Sequence, residues 1–227
     1  AFAAFFALPA TATIEIDDVT SPGGISAWLV EDSSIPFVAL EFWFVGGATL
    51  DAPAARGATY MMMGLLEEGA GDLNAQDYAA AVEGLAASFS FDSYRDAVVV
   101  SARMLTQNRD AAADLLRAAI TTPRFDQDAI ERVRGQVLAI IQSDARDPEE
   151  IAAATFNALA YGDHPYAFAQ EGTAETVTGL TRDDIVAAHG AALTRDRVVV
   201  GAAGDISAAE LGQLIDHILG DLPQTAP

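Results

Sequence analysis

Three histidines, His164, His189 and His217, are the residues in this sequence best suited to hold a metal or move a proton near neutral pH. Their spacing speaks against a shared site. His164 falls in a loop-like stretch and the other two in separate helical stretches. None has a second His three or four residues away, the spacing at which a helix presents two imidazoles to one metal. Asp184 is off the helical face of His189, and Asp163 merely adjoins His164 along the chain. The carboxylates Glu67, Glu68 and Asp72 cluster at the end of "GATYMMMGLLEEGAG" (57–71). They lack the alternating oxygen donors of a calcium loop and read as a solvated helix end. "GAAGD" (201–205) follows a strand, but two glycines without the third of a dinucleotide loop predict a plain turn. No nucleophile elbow or phosphate loop occurs. A sequence without cysteine excludes thiolate metal sites, thiol catalysis and disulfides. Taken alone, these residues perform no reaction that can be named.

The chain that must position them has 227 residues, enough for one generous domain or two small fused ones, and 51% of it is apolar, which supports a sizeable core. A formal charge of −21 repels nucleic acid and anionic membrane surfaces; it fits either a solubilising acidic surface or a basic partner. The opening "AFAAFFALPATA" (1–12) is an apolar run closing on small residues. It reads as the remnant of a secretory signal, with a periplasmic or otherwise exported protein expected, or as an apolar arm packed on the domain. Nothing later approaches the roughly 20 apolar residues of a membrane span, so the mature protein is not expected to insert into a membrane.

Strands are predicted at 25–30 and 37–48 from β-branched and aromatic residues. In the second, Val38, Leu40, Phe42 and Phe44 share one face, and Trp43 and Val45 make the other mostly apolar too, as in a central or well-covered strand. A helix is expected over 53–66 and another over 74–88, with Asn74 as its cap. "SFSFDSY" and "AVVVSARM" form a hairpin around Arg95-Asp96. Helices follow at about 107–121, 126–145 and 148–160, then a loop over 161–179, a Thr-capped helix, the strand "RVVVGAAG" and a closing helix with a Ser-x-x-Glu capping box. This order predicts an α+β domain over 13–220, a mostly antiparallel sheet with helices packed on one face. Residues 221–227 read as the start of a linker.

Segment order then carries a resemblance. "GGATLDAPAARGATYMMMGLLEEGAG" stands where pitrilysin/insulinase-type zinc peptidases have a Gly-Ser pair, an acidic–Pro run and their metal helix. "AAAVEGLAASFSFDSYRDAVVVSARM" is similar to the helix and hairpin that follow there. "TTPRFDQDAIERVRGQVLAII" is similar to a Pro-x-Phe … Ile-Glu-Arg helix, and "YGDHPYAFAQEGTAETV" to a His-Pro pair with Gly-Thr-x-Glu-x-Val. With "RVVVGAAGDIS", similar to the strand and Gly-Asp turn near that domain's end, five such pieces in one order cover about residues 25–220. The chain thus resembles the N-terminal domain of this family, which includes mitochondrial processing peptidase and small bacterial two-domain members.

Active members of that family carry H-x-x-E-H on the opening helix and a third ligand, a Glu, on a later one. Two imidazoles one turn apart grip zinc, and the Glu between them serves as base on the bound water. The resemblance places the first His at Tyr60, the base at Met63, the second His at Gly64 and the third ligand at Val133. All four are lost. Glu131 would point to another face, and no His or Asp lies between residues 52 and 71 to substitute. No zinc and no other cofactor is therefore expected. The three methionines are either pocket filler or plain core. The resemblance implies a non-catalytic subunit that helps a zinc-bearing sister peptidase subunit enclose an extended peptide. In active relatives substrate adds as a strand at the segment matching Ser90, Phe91, Asp92 and Ser93. The alternative is a stand-alone peptide-binding or structural module.

Overall fold

Residues 37–45 alternate as a half-buried strand must: Val38, Leu40, Phe42 and Phe44 are fully covered, while Glu41, Trp43 and Val45 face outward. This strand is third in a computed structural model that describes residues 15–226. The chain runs β1 (Asp17–Thr20), β2 (Ser26–Glu31), β3 (Phe37–Val45), α1 (Ala58–Leu65), the two-residue strands β4 (Gly69–Ala70) and β5 (Leu73–Asn74), α2 (Ala75–Gly84), β6 (Ser88–Ser93) and β7 (Ala97–Leu105). Then come α3 (Arg109–Thr121), α4 (Gln127–Asp144), α5 (Pro148–Tyr161), α6 (Ala174–Gly179), α7 (Arg182–Ala192), β8 (Val198–Gly204) and α8 (Ala208–Leu219).

The main sheet has the order β1-β2-β8-β3-β7-β6, and only the β2–β8 pair is parallel. The late strand β8 slots between β2 and β3. Register puts Phe42 beside Val100 and Val200, and Phe44 beside Val98 and Val198, so one sheet face is continuous apolar surface. The helices cover that face. Met61, Met62 and Met63 of α1, Leu116 and Ile120 of α3, and Leu211, Ile215 and Ile218 of α8 join the strand residues in one core. In α8 these positions recur at three- and four-residue steps, and Ser207 and Glu210 close the expected capping box. The α+β class, the mostly antiparallel sheet and the helices on one face are as expected.

Several local readings differ. The helix predicted over 53–66 is interrupted: a single 3-10 turn at Pro53–Ala55 is followed by Gly57 at φ +93°, and α1 begins only at Ala58. A Cβ at Gly57 would stand 2.4 Å from the Glu171 carbonyl oxygen, and one at Gly172 2.3 Å from that of Arg56. The two backbones cross too closely for any side chain, and the helix cannot run through the crossing. The loop expected over 161–179 contains α6, whose first turn is fixed by a reciprocal Thr173–Thr176 cap. The strand at β1 had no sequence signal, with three exposed residues of four. Strand β3 is central, but its second face is bare rather than covered. Leu222 is buried, and the carbonyls of Pro223 and Gln224 accept N–H groups of Arg195 and Asp196 at 3.0 Å, so the stretch read as a linker starts docked on the domain. The run 1–12 lies outside the described residues.

Candidate functional site

The start of α1 is held from outside the helix. Asp51 accepts the N–H of Gly57 at 2.9 Å and the Thr59 hydroxyl at 2.6 Å, giving the first turn the acceptors that its own backbone lacks. Burial raises the Asp51 carboxyl above the usual range, against the opposing pull of these hydrogen bonds. The helix then packs on α7 and α4. Its apolar residues run almost all round, as in a helix enclosed by neighbours.

Tyr60, Met63 and Gly64 lie on α1 and Val133 on α4, and the two helices meet at Gly64 and Val133. A Cβ built on Gly64 would lie 3.5 Å from Cγ1 of Val133, ordinary van der Waals contact, so the two helices touch at these positions. Met63 and Val133 are buried. Tyr60 sits half-buried at the rim, and burial, with the charges of Glu171 and Asp144 adding, pushes its phenol above the usual value. A neutral phenol, a thioether, a bare backbone and an isopropyl group offer no set of donors for Zn²⁺. Among the described residues no three His, Cys, Asp or Glu side chains converge on a point that could hold a metal ion. Glu131 points away from Val133, bonded to Gln127 and Arg134. Arg134 is the structural anchor here: its guanidinium reaches the carbonyls of Val177 and Leu180 and ties α4 to α6.

The histidines stay apart. His164 accepts the Tyr166 N–H in a 3-10 turn, His189 bonds the Ile120 carbonyl at 2.7 Å, and His217 pairs with Asp114 at 2.6 Å.

Beside the α1–α4 contact the sheet ends at β6, an edge strand with no neighbour on its outer side among the described residues. Register divides its side chains. Ser90 and Asp92 lie on the bare face of the sheet, bonded to each other at 3.2 Å; Phe91 and Ser93 face the helices, and Ser93 is buried. The Ser93 side chain therefore offers nothing to a ligand, although the strand's backbone can.

Sequence reading missed a groove of about 420 Å³ between α2 and β6, lined by Glu67, Glu68, Tyr78, Val82, Phe89 and Phe91. Burial, and then the charge of Glu68, raises the Glu67 carboxyl. Glu68 itself is paired with Arg132. The acidic pair had been visible only as a helix end; what turns it into a groove wall is the return of β6 beside it, about 20 residues later, through the α2 connection.

The protein-family model for Insulinase (Peptidase family M16) matches residues 27–174, more than half of the chain. A Helicobacter pylori protein called non-peptidase homolog YmxG is 25% identical over 194 residues, 86% of this chain and 45% of its own length. The beta subunit of mitochondrial-processing peptidase from Neurospora crassa is 24% identical over 185 residues, 82% of this chain and 39% of its own length. A crystal structure described as a peptidase M16 inactive domain, from Pseudomonas fluorescens, superposes with a TM-score of 0.88 at 27% identity, over 94% of this chain and 52% of that one. The chain spans about half the length of the relatives it matches. Its five segments in family order, on this fold and under this family model, make it a member of the insulinase-like M16 peptidase family.

Proposed function

We propose that this chain is a non-catalytic member of the family that binds no zinc and helps a zinc-bearing sister subunit enclose and bind extended peptides. The observation that carries the reading is a pairing of opposites: the positions matching the family's metal site hold a phenol, a thioether, a glycine and an isopropyl group, with Met63 and Val133 buried, while the sheet edge and groove beside them stay open. A closed α1–α4 contact removes the chemistry. An open β6 edge keeps unpaired backbone groups to which a peptide strand can add. The names of two relatives, a non-peptidase homolog and an inactive domain, support loss of activity, and the Neurospora relative is by name one subunit of a peptidase. The apolar opening run supports an exported, periplasmic location, which fractionation of the producing cell checks.

The test is co-expression with a sister chain that carries H-x-x-E-H, scoring peptide hydrolysis by each chain alone and by the pair. Hydrolysis confined to the pair, or strongly raised in it, is expected, together with loss of peptide binding by the pair when Phe91 is replaced by Pro. No gain on pairing sinks the subunit reading, and peptide binding that persists without such a gain favours a stand-alone binding module. Zinc bound tightly and in stoichiometric amount by this chain alone would refute the reading of the α1–α4 contact.

A further inference from the structure

The sequence has no lysine, and its twelve arginines stand against thirty-three Asp and Glu. Arg109, Arg117, Arg124, Arg132 and Arg134 are each in ion-pair range of a carboxylate, and Arg182 and Arg197 donate to backbone carbonyls. Arg56 and Arg95 do neither among the described residues, although they reach one pocket from separate segments. That pocket holds about 140 Å³, between the start of α1, the β6–β7 turn and the chain around Phe168. Thr49 and Gln170 line it too, and neither the Thr49 hydroxyl nor the Gln170 amide has a partner among the described residues.

The walls are pinned by the backbone. A Cβ at Gly47 would stand 1.9 Å from the Tyr94 carbonyl oxygen, and Thr49 donates its N–H to the Arg95 carbonyl at 3.0 Å. The turns carrying Thr49 and Arg95 therefore lie backbone against backbone. On the other side, the Gly57–Gly172 crossing fixes the chain at Arg56 against the segment that follows Phe168. Arg56 is half-buried, and its guanidinium carbon stands 3.2 Å from the centroid of the Phe168 ring. Stacking of this kind fixes the plane of a guanidinium and leaves its N–H groups, which point outward in that plane, in need of acceptors. A partly buried donor without an acceptor costs stability, and no described residue supplies one.

We infer that this pocket is a binding site for a small oxyanion, a carboxylate or phosphate group held by Arg56 and Arg95 with Thr49 and Gln170 as further donors. A guanidinium is permanently charged and can only donate, and its fork matches the oxygens of either group. The volume is that of about five waters, which admits such a group and little more. Asp51 and Asp163 also border the pocket, but neither fills this role. Asp51 accepts from Gly57 and Thr59 at the start of α1, and Asp163 is exposed and outside ion-pair range of both arginines. A chain of charge −21 has no general attraction for anions, so binding here reports the site. The inference requires neither a sister subunit nor a peptide at β6.

The test is the midpoint of thermal unfolding in sodium phosphate or sodium acetate, each against sodium chloride of equal ionic strength at neutral pH. A ligand that binds only the folded state raises the midpoint, by about 3–5 °C at ten times its Kd in a chain of this size. A saturable rise is expected in the parent and is expected to be absent from Arg56→Gln and from Arg95→Gln. Arg95 is exposed, so its variant keeps the fold even where loss of the Arg56–Phe168 stack weakens the other. Arg146→Gln, which removes an exposed arginine just after α4, should behave as the parent. A rise in phosphate alone assigns a phosphate group; a rise in acetate, with or without phosphate, assigns a carboxylate. Phosphate also stabilises proteins generally through exclusion from their surface, an effect that all the variants would share. A rise equal in the parent and the pocket variants, no rise with either anion, or a loss shared by Arg146→Gln overturns the inference. Peptide hydrolysis enters none of these outcomes, so failure here and failure of the pairing assay remain distinct.

Discussion

The α1–α4 contact and the β6 edge are neighbours that have met opposite fates. In the first, Met63 and Val133 are buried apolar side chains beside a Gly64 that has none; in the second, a groove with two carboxylates on its wall lies open along an unpaired strand. Both rest on the same core, since Met61, Met62, Phe89 and Phe91 belong to one packed cluster. On the proposed reading, a fold of this family keeps its sheet edge where it no longer holds metal ligands. A metal pocket is a set of polar groups held together at a cost in desolvation, and without an ion apolar volume is the more stable filling. A sheet edge needs no residue of its own to persist, because its hydrogen-bonding groups belong to the backbone.

The strongest way to break this contrast is to return a ligand-type residue to the closed side. Val133→Glu places a carboxylate where Val133 is 4% exposed and belongs to the apolar core. The expected cost at neutral pH is about 3–5 kcal/mol, in the range found when a buried charge is left without its partner. That lowers the midpoint of thermal unfolding by about 10 °C in a domain of this size. The new carboxyl's folded pKa would be raised above its unfolded value of about 4.3, so the penalty is full above the raised pKa and disappears as pH falls below the unfolded one. A melt of the variant at pH 7 that matches the parent would mean the contact is wet, and the contrast would fail.

Met62→Ala probes the same side by subtraction. Met62 is fully buried, and its truncation should cost about 2–5 kcal/mol. Phe91→Ala in the half-buried groove wall should cost less, although phenylalanine is the larger side chain, because it is covered on one side only. Denaturant titration of the two variants ranks them. The reverse order would make the groove part of the closed core.

His189 gives a smaller effect through pH. It sits on α7, the helix that covers α1, and burial holds its pKa below the ordinary value despite the hydrogen bond to the Ile120 carbonyl. Its folded form resists protonation that the unfolded chain accepts at about 6.5. The stability this confers is complete above that pH and is lost as pH falls toward the lower folded pKa. The parent should therefore lose stability as the pH drops below about 6.5, and a His189→Gln variant should show a shallower slope there. Identical slopes would mean that His189 is already solvated.

What could be read from the sequence followed the range of the interactions that decide it. The alternation of β3 and the Ser207–Glu210 box of α8 are local, and both came out as read. The order of segments carried the alignment of Tyr60, Met63, Gly64 and Val133; of these, the fold sets Gly64 of α1 against Val133 of α4. Gly57 could not be read as a break, because its conformation answers to Glu171, more than a hundred residues away, across a backbone crossing. The bare second face of β3 was hidden for a similar reason: Trp43 and Val45 have the composition of a covered surface, and only the packing of the core helices on the other side leaves them exposed. Nor does sequence distinguish which of Ser90, Phe91, Asp92 and Ser93 point inward, since a shift of one residue in pairing would exchange the two sets.

Ser93 turns that ambiguity into the finest test of the open side. Its hydroxyl is buried and has no hydrogen-bond partner among the described residues. A hydroxyl removed from water without compensation costs stability, so Ser93→Ala should leave the fold as stable or strengthen it by up to about 1 kcal/mol. If the edge binds peptide through its backbone, the same variant should leave binding by the assembled pair unchanged, because methyl for hydroxyl alters no main-chain donor or acceptor. Weaker binding at unchanged stability would transfer the recognition from backbone to side chain. A loss of stability would mean that the hydroxyl has a partner such as an ordered water, and that the inner end of β6 is more polar than the apolar contact it adjoins.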